Sequence, residues 1–268
     1  MTIVAISKGS LIKGTDVANK VAQKLGYECL DRQILIEASE QFSIPEVKLN
    51  RALTDAPRFI DRLTFGKDKY ISYIRNALLD RLAHDNIVYH GIAGQYFLED
   101  VAHVLKVRIV STMENRVKDV MVRDNIDEKA AAQAIAKIDM AREKWSLHFY
   151  GIHIEDARLY DLVININKFT VEEAVELIAA TSQSSRFQTT TDSKKQFEDL
   201  LLASKAQTVI MKSFPKAVVI SRDGVVSVTQ EGALGKEPIY DAQIKDALKD
   251  IEGIQKVVTK IWPIVDVH

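Results

Sequence analysis

Ile3-Val4-Ala5-Ile6-Ser7-Lys8-Gly9-Ser10-Leu11-Ile12-Lys13-Gly14-Thr15-Asp16-Val17-Ala18 decides the fold. The stretch reads as an apolar strand, a loop, and the first turn of a helix. Thr15 or Asp16 can cap that helix, and Val17, Ala18, Val21, Ala22 and Leu25 recur at helical spacing. A phosphate-binding loop opens an α/β domain in this order. The full pattern of such a loop, glycine, four residues, then Gly-Lys-Ser/Thr, is absent. Gly9, Lys13, Gly14 and Thr15 remain of it. Leu11 and Ile12 suit a phosphate cradle badly, because their β-carbons crowd backbone that glycine leaves open.

Outward from this stretch, strands and helices alternate. Gly26 stops the first helix, Tyr27 to Asp31 is a short strand, and Arg32 to Phe42 is a helix with Ile34, Leu35, Ala38 and Phe42 on one side. Pro45 opens another helical turn. From Pro57 to Leu82 a ragged helical period runs through Phe59, Leu63, Tyr70, Ile71, Ile74, Leu78 and Leu82, with Gly66 as an interruption. Asn86 to Gly91, Val104 to Val110 and Asp161 to Ile166 read as strands. Met113 to Arg123, Glu128 to His148 and Val171 to Ala180 read as helices, the last capped by Thr170 with Glu173 in a capping box. This alternation predicts an α/β fold, a parallel sheet with helices on both faces. Ligands of such sheets bind at the carboxyl ends of the strands. Those ends are Ser7-Lys8-Gly9, Asp31, His90-Gly91 and Ser111-Thr112.

Thr181 to Ser193 is polar and lacks an apolar period. It divides the chain into a first domain over 1–182, a linker over 183–195 and a second domain over 196–268. The second reads as α-β-β-α-β, with a hairpin turn at Arg222-Asp223-Gly224.

With 268 residues, 47% apolar and 27% charged, the chain is long enough for one or two domains with a buried core. A net charge of −1 provides no global field for nucleic acid or an anionic membrane. One cysteine, Cys29, rules out an intramolecular disulfide and a cysteine-cluster metal site, and reads as a small core residue. With no leader segment and no bilayer-length apolar run, a soluble cytoplasmic protein is expected. The six histidines do not fall at metal-ligand spacing.

Phosphoryl transfer needs amides and a lysine on the β- and γ-phosphates, arginines against the moving charge, and a pocket for the acceptor. Lys13 is the candidate phosphate lysine, Gly14 allows close backbone approach, and Thr15 can meet magnesium. Equally, Lys13 can be a solvated loop lysine and Thr15 a helix cap. Arg75, Arg108, Arg116, Arg123 and Arg142 recur where charge is wanted, although Arg108 and Arg123 read as parts of a solvated face. Asp139 and Arg142, at i and i+3, can pair. Asp31 can orient a base or ribose, or cap the helix that starts at Arg32.

Ile6-Ser7-Lys8 with its glycine-bearing loop, and Ala18 to Gly26 running into Leu30-Asp31, resemble the opening of the cytidylate-kinase-like family of P-loop nucleoside monophosphate kinases. Lys13-Gly14-Thr15 is similar to the Gly-Lys-Gly-Thr of bacterial cytidylate kinases. A gap-free alignment to the looser branch of the family instead sets Lys13 against a glycine. Ile74 to Leu79, Val88 to Gly91, Val107 to Val110, Asn115 to Val117, Ile138 to Arg142 and Tyr160 to Asn165 are similar to later family blocks.

The resemblance covers about residues 1–182. It implies a five-stranded parallel sheet, ATP with Mg2+ as donor, and a CMP-like acceptor. It assigns phosphate contacts to the loop of Lys8, Gly9, Ser10, Lys13, Gly14 and Thr15, with Thr15 at the metal. It assigns acceptor contacts to Asp31, Arg75 and Gly91, and charge from positions matching Arg123, Asp139 and Arg142. Two positions depart from the pattern: Ile92 replaces the arginine of Gly-Arg, and Leu11-Ile12 occupy glycine or small positions.

The C-terminal module, in its α-β-β-α-β order and its Asp223-Gly224-Val225-Val226 hairpin, loosely resembles a BON domain, which implies ligand binding and regulation. It reads equally as a small dimerising or packing domain, which admits a homodimer. Two readings of the whole chain stay open. One is a phosphotransferase in which Lys13, Arg116 and Arg142 carry the chemistry. The other is a catalytically impaired nucleotide sensor whose C-terminal module transmits the bound state. Both take a nucleotide or similar small molecule as partner.

Overall fold

A computed structural model of the chain describes residues 2–55, 66–99 and 101–263. Phe59 and Leu63, part of the expected helical period, lie outside the described residues.

The first unit runs β1 (Ile3–Lys8), α1 (Leu11–Leu25), β2 (Glu28–Leu30), α2 (Gln33–Phe42), α3 (Glu46–Thr54), α4 (Gly66–Leu82), β3 (Ile87–Tyr89), α5 (Gly94–Phe97), β4 (Val104–Val110), α6 (Met113–Asp124), α7 (Glu128–Tyr150), β5 (Leu162–Asn165) and α8 (Val171–Ser182). The five strands are parallel, in the order β2-β3-β1-β4-β5. β1 lies at the centre, with Val4 opposite both Val88 and Leu105. Its unbroken apolar run follows from burial on both faces. Because side chains alternate across a strand, Ile3 and Ala5 join one core with Leu30, Ile74, Leu78, Tyr89 and Phe97, while Val4 and Ile6 join the other with Val17, Val21, Leu105, Ile164 and Ile178. Thr170 and Glu173 form the expected capping box.

The C-terminal unit is α9 (Thr191–Ile210), β6 (Val218–Arg222), β7 (Val225–Gly232), α10 (Glu237–Leu248) and β8 (Lys256–Pro263). Its three strands lie in the order β6-β7-β8, antiparallel and then parallel. Asp223 and Gly224 have φ of 54° and 74°, the pair of left-handed residues that a tight type I′ hairpin needs.

α9 begins at Thr191, inside the 183–195 stretch read as a linker, behind a capping box of Thr190 and Ser193. This one helix serves both units. Phe197 belongs to the core of the first, with Leu200 and Leu201 packed against it, whereas Leu202, Ala206 and Ile210 belong to the core of the second. Lys205 reaches Asp80 of α4 at 3.3 Å.

Candidate functional site

At the carboxyl end of β1 the chain turns sharply. The loop expected over residues 8 to 15 is only Gly9-Ser10, and α1 starts at Leu11. The turn is tight because Gly9 lies against β4, where an added β-carbon would stand 2.8 Å from the carbonyl oxygen of Ile109. The Ser10 amide donates to that same carbonyl at 3.0 Å. Ser10, not Thr15 or Asp16, occupies the N-cap.

Lys13, Gly14 and Thr15 are therefore helical residues. The Gly14 amide donates to the Ser10 carbonyl at 3.0 Å, and the Thr15 hydroxyl donates to the Leu11 carbonyl at 2.9 Å. Ile12 packs onto a cluster of Val117, Val120, Ala131 and Ile135 from α6 and α7, which accounts for an apolar residue in this place. The Lys13 ammonium lies 3.8 Å from Asp119 of α6. A part-exposed ion pair of this kind is worth about 0.2–1 kcal/mol. Lys13→Ala is accordingly expected to change ATP affinity and turnover by less than about threefold. A loss of tenfold or more in steady-state assays would return Lys13 to the phosphates.

Two cavities open along this sheet edge, one on each side of Lys8. The first, of about 380 Å³, lies beyond the end of β4, and Gly9, Ser111, Arg108, Arg116 and Arg142 line it with Asp139, Glu143 and Glu155. Arg108 is not on a solvated face. It is buried in the sheet, where Nη1 donates to the Tyr160 hydroxyl at 3.2 Å and to Ser7 Oγ at 3.3 Å. Arg116 grips Asp139 with two bonds of 2.8 Å. That geometry takes the carboxylate expected for Arg142, and no ion pair joins Asp139 to Arg142 among the described residues. Arg142 instead donates from Nη1 to the carbonyl of Lys8 at 2.7 Å. Burial lowers the Arg142 pKa against the pull of Asp139, and the Arg108 and Arg116 charges add to the effect. The lining holds three guanidiniums and three carboxylates. Arg116 is paired with Asp139 and Arg108 lies 3.9 Å from Glu155, so Arg142 is the guanidinium there without an ion pair among the described residues, the one best placed to meet an anion.

The second cavity, of about 290 Å³, lies beyond β2 and β3, where Lys8, Thr15, Asp31, Arg32, His90, Gly91, Ile92, Arg123 and Arg142 face it. The Lys8 ammonium donates to His90 Nδ1 at 2.9 Å and approaches Asp31 Oδ2 at 3.5 Å. Burial, helped by the Lys8 charge, pushes the His90 pKa down to about 4, so the ring is neutral at pH 7 and its Nδ1 lone pair accepts. The ring of Tyr89 lies beneath the turn, and its hydroxyl donates to the Ile92 carbonyl at 2.9 Å. Ile92 itself packs on the first core.

Asp31, Gly91 and Thr15 thus meet in the second cavity, and Gly9, Arg116 and Arg142 in the first. Arg75 lines neither. It is half-buried on α4, where desolvation lowers its pKa and Tyr150 and Glu99 partly restore it. Arg123, read as solvated, pairs with its neighbour Asp124 yet also lines the second cavity. Arg32 and His90 escaped the sequence reading as site residues. The signal for His90 was its place at the end of a strand, and for Arg32 its place beside Asp31.

The sequence profile described as the cytidylate kinase-like family matches residues 3–168. The cytidylate kinase of Staphylothermus marinus is 30% identical over 93 residues, a match that spans 35% of this chain and 52% of that protein. The cytidylate kinase of Sulfolobus acidocaldarius is 25% identical over 165 residues, or 61% of this chain and 85% of that protein. The crystal structure of an uncharacterized protein from Eubacterium ventriosum superposes with a TM-score of 0.53 at 21% identity, covering 68% of this chain and 97% of that one, which marks a shared fold.

Proposed function

The chain belongs to the cytidylate kinase-like family, and from that premise we propose that it moves a phosphoryl group from ATP to a nucleoside monophosphate or a similar small acceptor. The observation that carries the reading is the pair of arginine-lined cavities that share Arg142 across the end of β1. In-line transfer needs a donor and an acceptor on opposite sides of the moving group, with cations fixed around it.

The set of Arg108, Arg116 and Arg142 fits the polyphosphate of ATP. Arg116 and Arg142 offset the developing charge in this reading. Lys13 drops out, because it lies on the helix beside Asp119. Magnesium supplies charge neutralisation when bound. Thr15 faces the other cavity with its hydroxyl on the Leu11 carbonyl, and Arg116 and His153 already engage Asp139 and Glu143. Among the described residues no group of three or more His, Cys, Asp or Glu side chains is placed to hold a metal ion, so the residues present do not form a protein cage for it. Asp31, Gly91 and the end of β3 form the acceptor side.

A nucleotide sensor without turnover is the second reading. Ile92 in place of an acceptor arginine favours it, as does α9, which packs into both units and can couple them. Among the described residues no helix is long and apolar enough to cross a membrane.

Calorimetry with magnesium-ATP, followed by ADP release with a panel of nucleoside monophosphates, tests both readings. Binding with turnover on one acceptor is the expected result. Binding without turnover on any acceptor leaves the sensor, and no ATP binding at millimolar nucleotide removes both.

A further inference from the structure

Lys8 ends β1, yet its side chain is only 7% exposed. The reason lies at Gly14. A β-carbon added there would stand 2.9 Å from Cγ and 3.2 Å from Cβ of Lys8. The lysine stem therefore fills the space that a side chain at position 14 would take. It carries the amine across the first turns of α1 and into the second cavity.

There the ammonium meets His90 at 2.9 Å and Asp31 at 3.5 Å. Arg32, Arg123 and Arg142 line the same space. Asp124 already engages Arg123, and the Lys8 carbonyl engages Arg142. Among the described residues that line the cavity, Asp31 is the lone carboxylate and stands against four cations. The Ile92 side chain contributes no charge. Arg32 and Arg123 are exposed at the rim and Lys8 is buried at the floor, and cations in such excess converge on an anion small enough to enter. The neutral His90 lone pair keeps the amine aimed into the cavity, and the contact with Asp31, at 3.5 Å, is long enough to be exchanged for a better one.

We propose that Lys8 is the phosphate ligand of the acceptor subsite, its ammonium leaving Asp31 to bind an oxygen of a phosphate monoester, with Arg32 and Arg123 beside it and Gly14 required for its passage. This rests on the phosphotransferase reading for its biological meaning, and the binding itself is testable without turnover. The same chemistry would accept free inorganic phosphate, so both sources enter the test.

The test is calorimetry on the full chain with inorganic phosphate, with the common nucleoside 5′-monophosphates, and with the matching nucleosides as phosphate-free controls. Lys8→Met, which keeps the stem, should weaken monophosphate and inorganic phosphate binding by about tenfold or more. Binding of the nucleosides and of magnesium-ATP should stay within about threefold. Gly14→Ala should weaken monophosphate binding in the same direction by displacing the stem. Lys8→Arg, which restores a cation, should recover part of the loss, and both variants keep the test open if Lys8→Met does not fold. Unchanged monophosphate affinity in Lys8→Met overturns the proposal. An equal loss for nucleoside and monophosphate also overturns it, as does a wild-type chain that binds neither phosphate nor any monophosphate. A wild-type chain that binds phosphate through Lys8 but no ATP would sink the phosphotransferase reading and leave the Lys8 subsite standing.

Discussion

Arg142→Met is expected to lower turnover by roughly 10²–10³-fold while the chain stays folded. Among the described residues, Arg142 is the one guanidinium that lines both cavities, and it also holds the end of β1 through its 2.7 Å bond to the Lys8 carbonyl. Methionine keeps most of the stem's packing and removes the charge. A cation aimed at a transferring phosphoryl group acts in an enclosed site, where removal of a single donor costs about 2.7–4 kcal/mol of transition-state stabilisation. Stability should suffer less. The variant leaves the Lys8 carbonyl without its donor, a cost of about 1–3 kcal/mol. It also removes a buried cation that Arg108 and Arg116 repel, which offsets part of that cost. A thermal melt should therefore shift by a few degrees, while ADP release falls by two orders of magnitude or more. Turnover within threefold of wild type would remove Arg142 from the reaction.

The largest effect on stability is expected from Gly91→Ala, at about 2–4 kcal/mol. The added methyl carbon would lie 2.2 Å from the Tyr89 hydroxyl oxygen and 2.4 Å from Cζ. Neither partner has room to yield. The Tyr89 ring is 1% exposed, and a β-carbon on Gly94 would stand 2.9 Å from Cδ1 at its other edge. Moving the ring also breaks the part-buried bond from its hydroxyl to the Ile92 carbonyl. For a chain of this size the loss corresponds to a fall in Tm of roughly 5–10 °C. Calorimetric melting measures it directly, and a Tm within a degree of wild type would show that the 90–94 turn moves freely. Gly91 was assigned to the acceptor from the family pattern. Its packing shows that the turn needs a glycine there for room, before any ligand is considered.

The fold was legible in residues 3–25, 86–110 and 160–182 because each element there announces itself locally. Val17, Ala18, Val21 and Ala22 fall on one face of a helix whatever packs against it, and Val104 to Val110 is too apolar for anything but a buried strand. The Thr170–Glu173 box and the Asp223-Gly224 turn are likewise determined by residues within four positions of one another. The site was less legible. Arg116 and Arg142 face the first cavity, whereas Lys13 and Thr15, read as part of a loop, lie in the first turns of α1. The helix reaches back to Leu11 because Gly9 can press against the Ile109 carbonyl, a contact between residues one hundred apart. Arg108 looked solvated because a lone arginine in a strand carries no local sign of the Ser7 and Tyr160 oxygens that receive it.

By itself, then, the sequence determined the order of strands and helices, the parallel sheet and the resemblance that the family match bears out. These depend on periodicity and on short motifs, which act over one or two turns of chain. Only the tertiary structure decided how long the loop is and where the amine of Lys8 goes. Both depend on atoms that sequence order keeps apart: the carbonyl of Ile109, the bare α-carbon of Gly14 and the ring of His90.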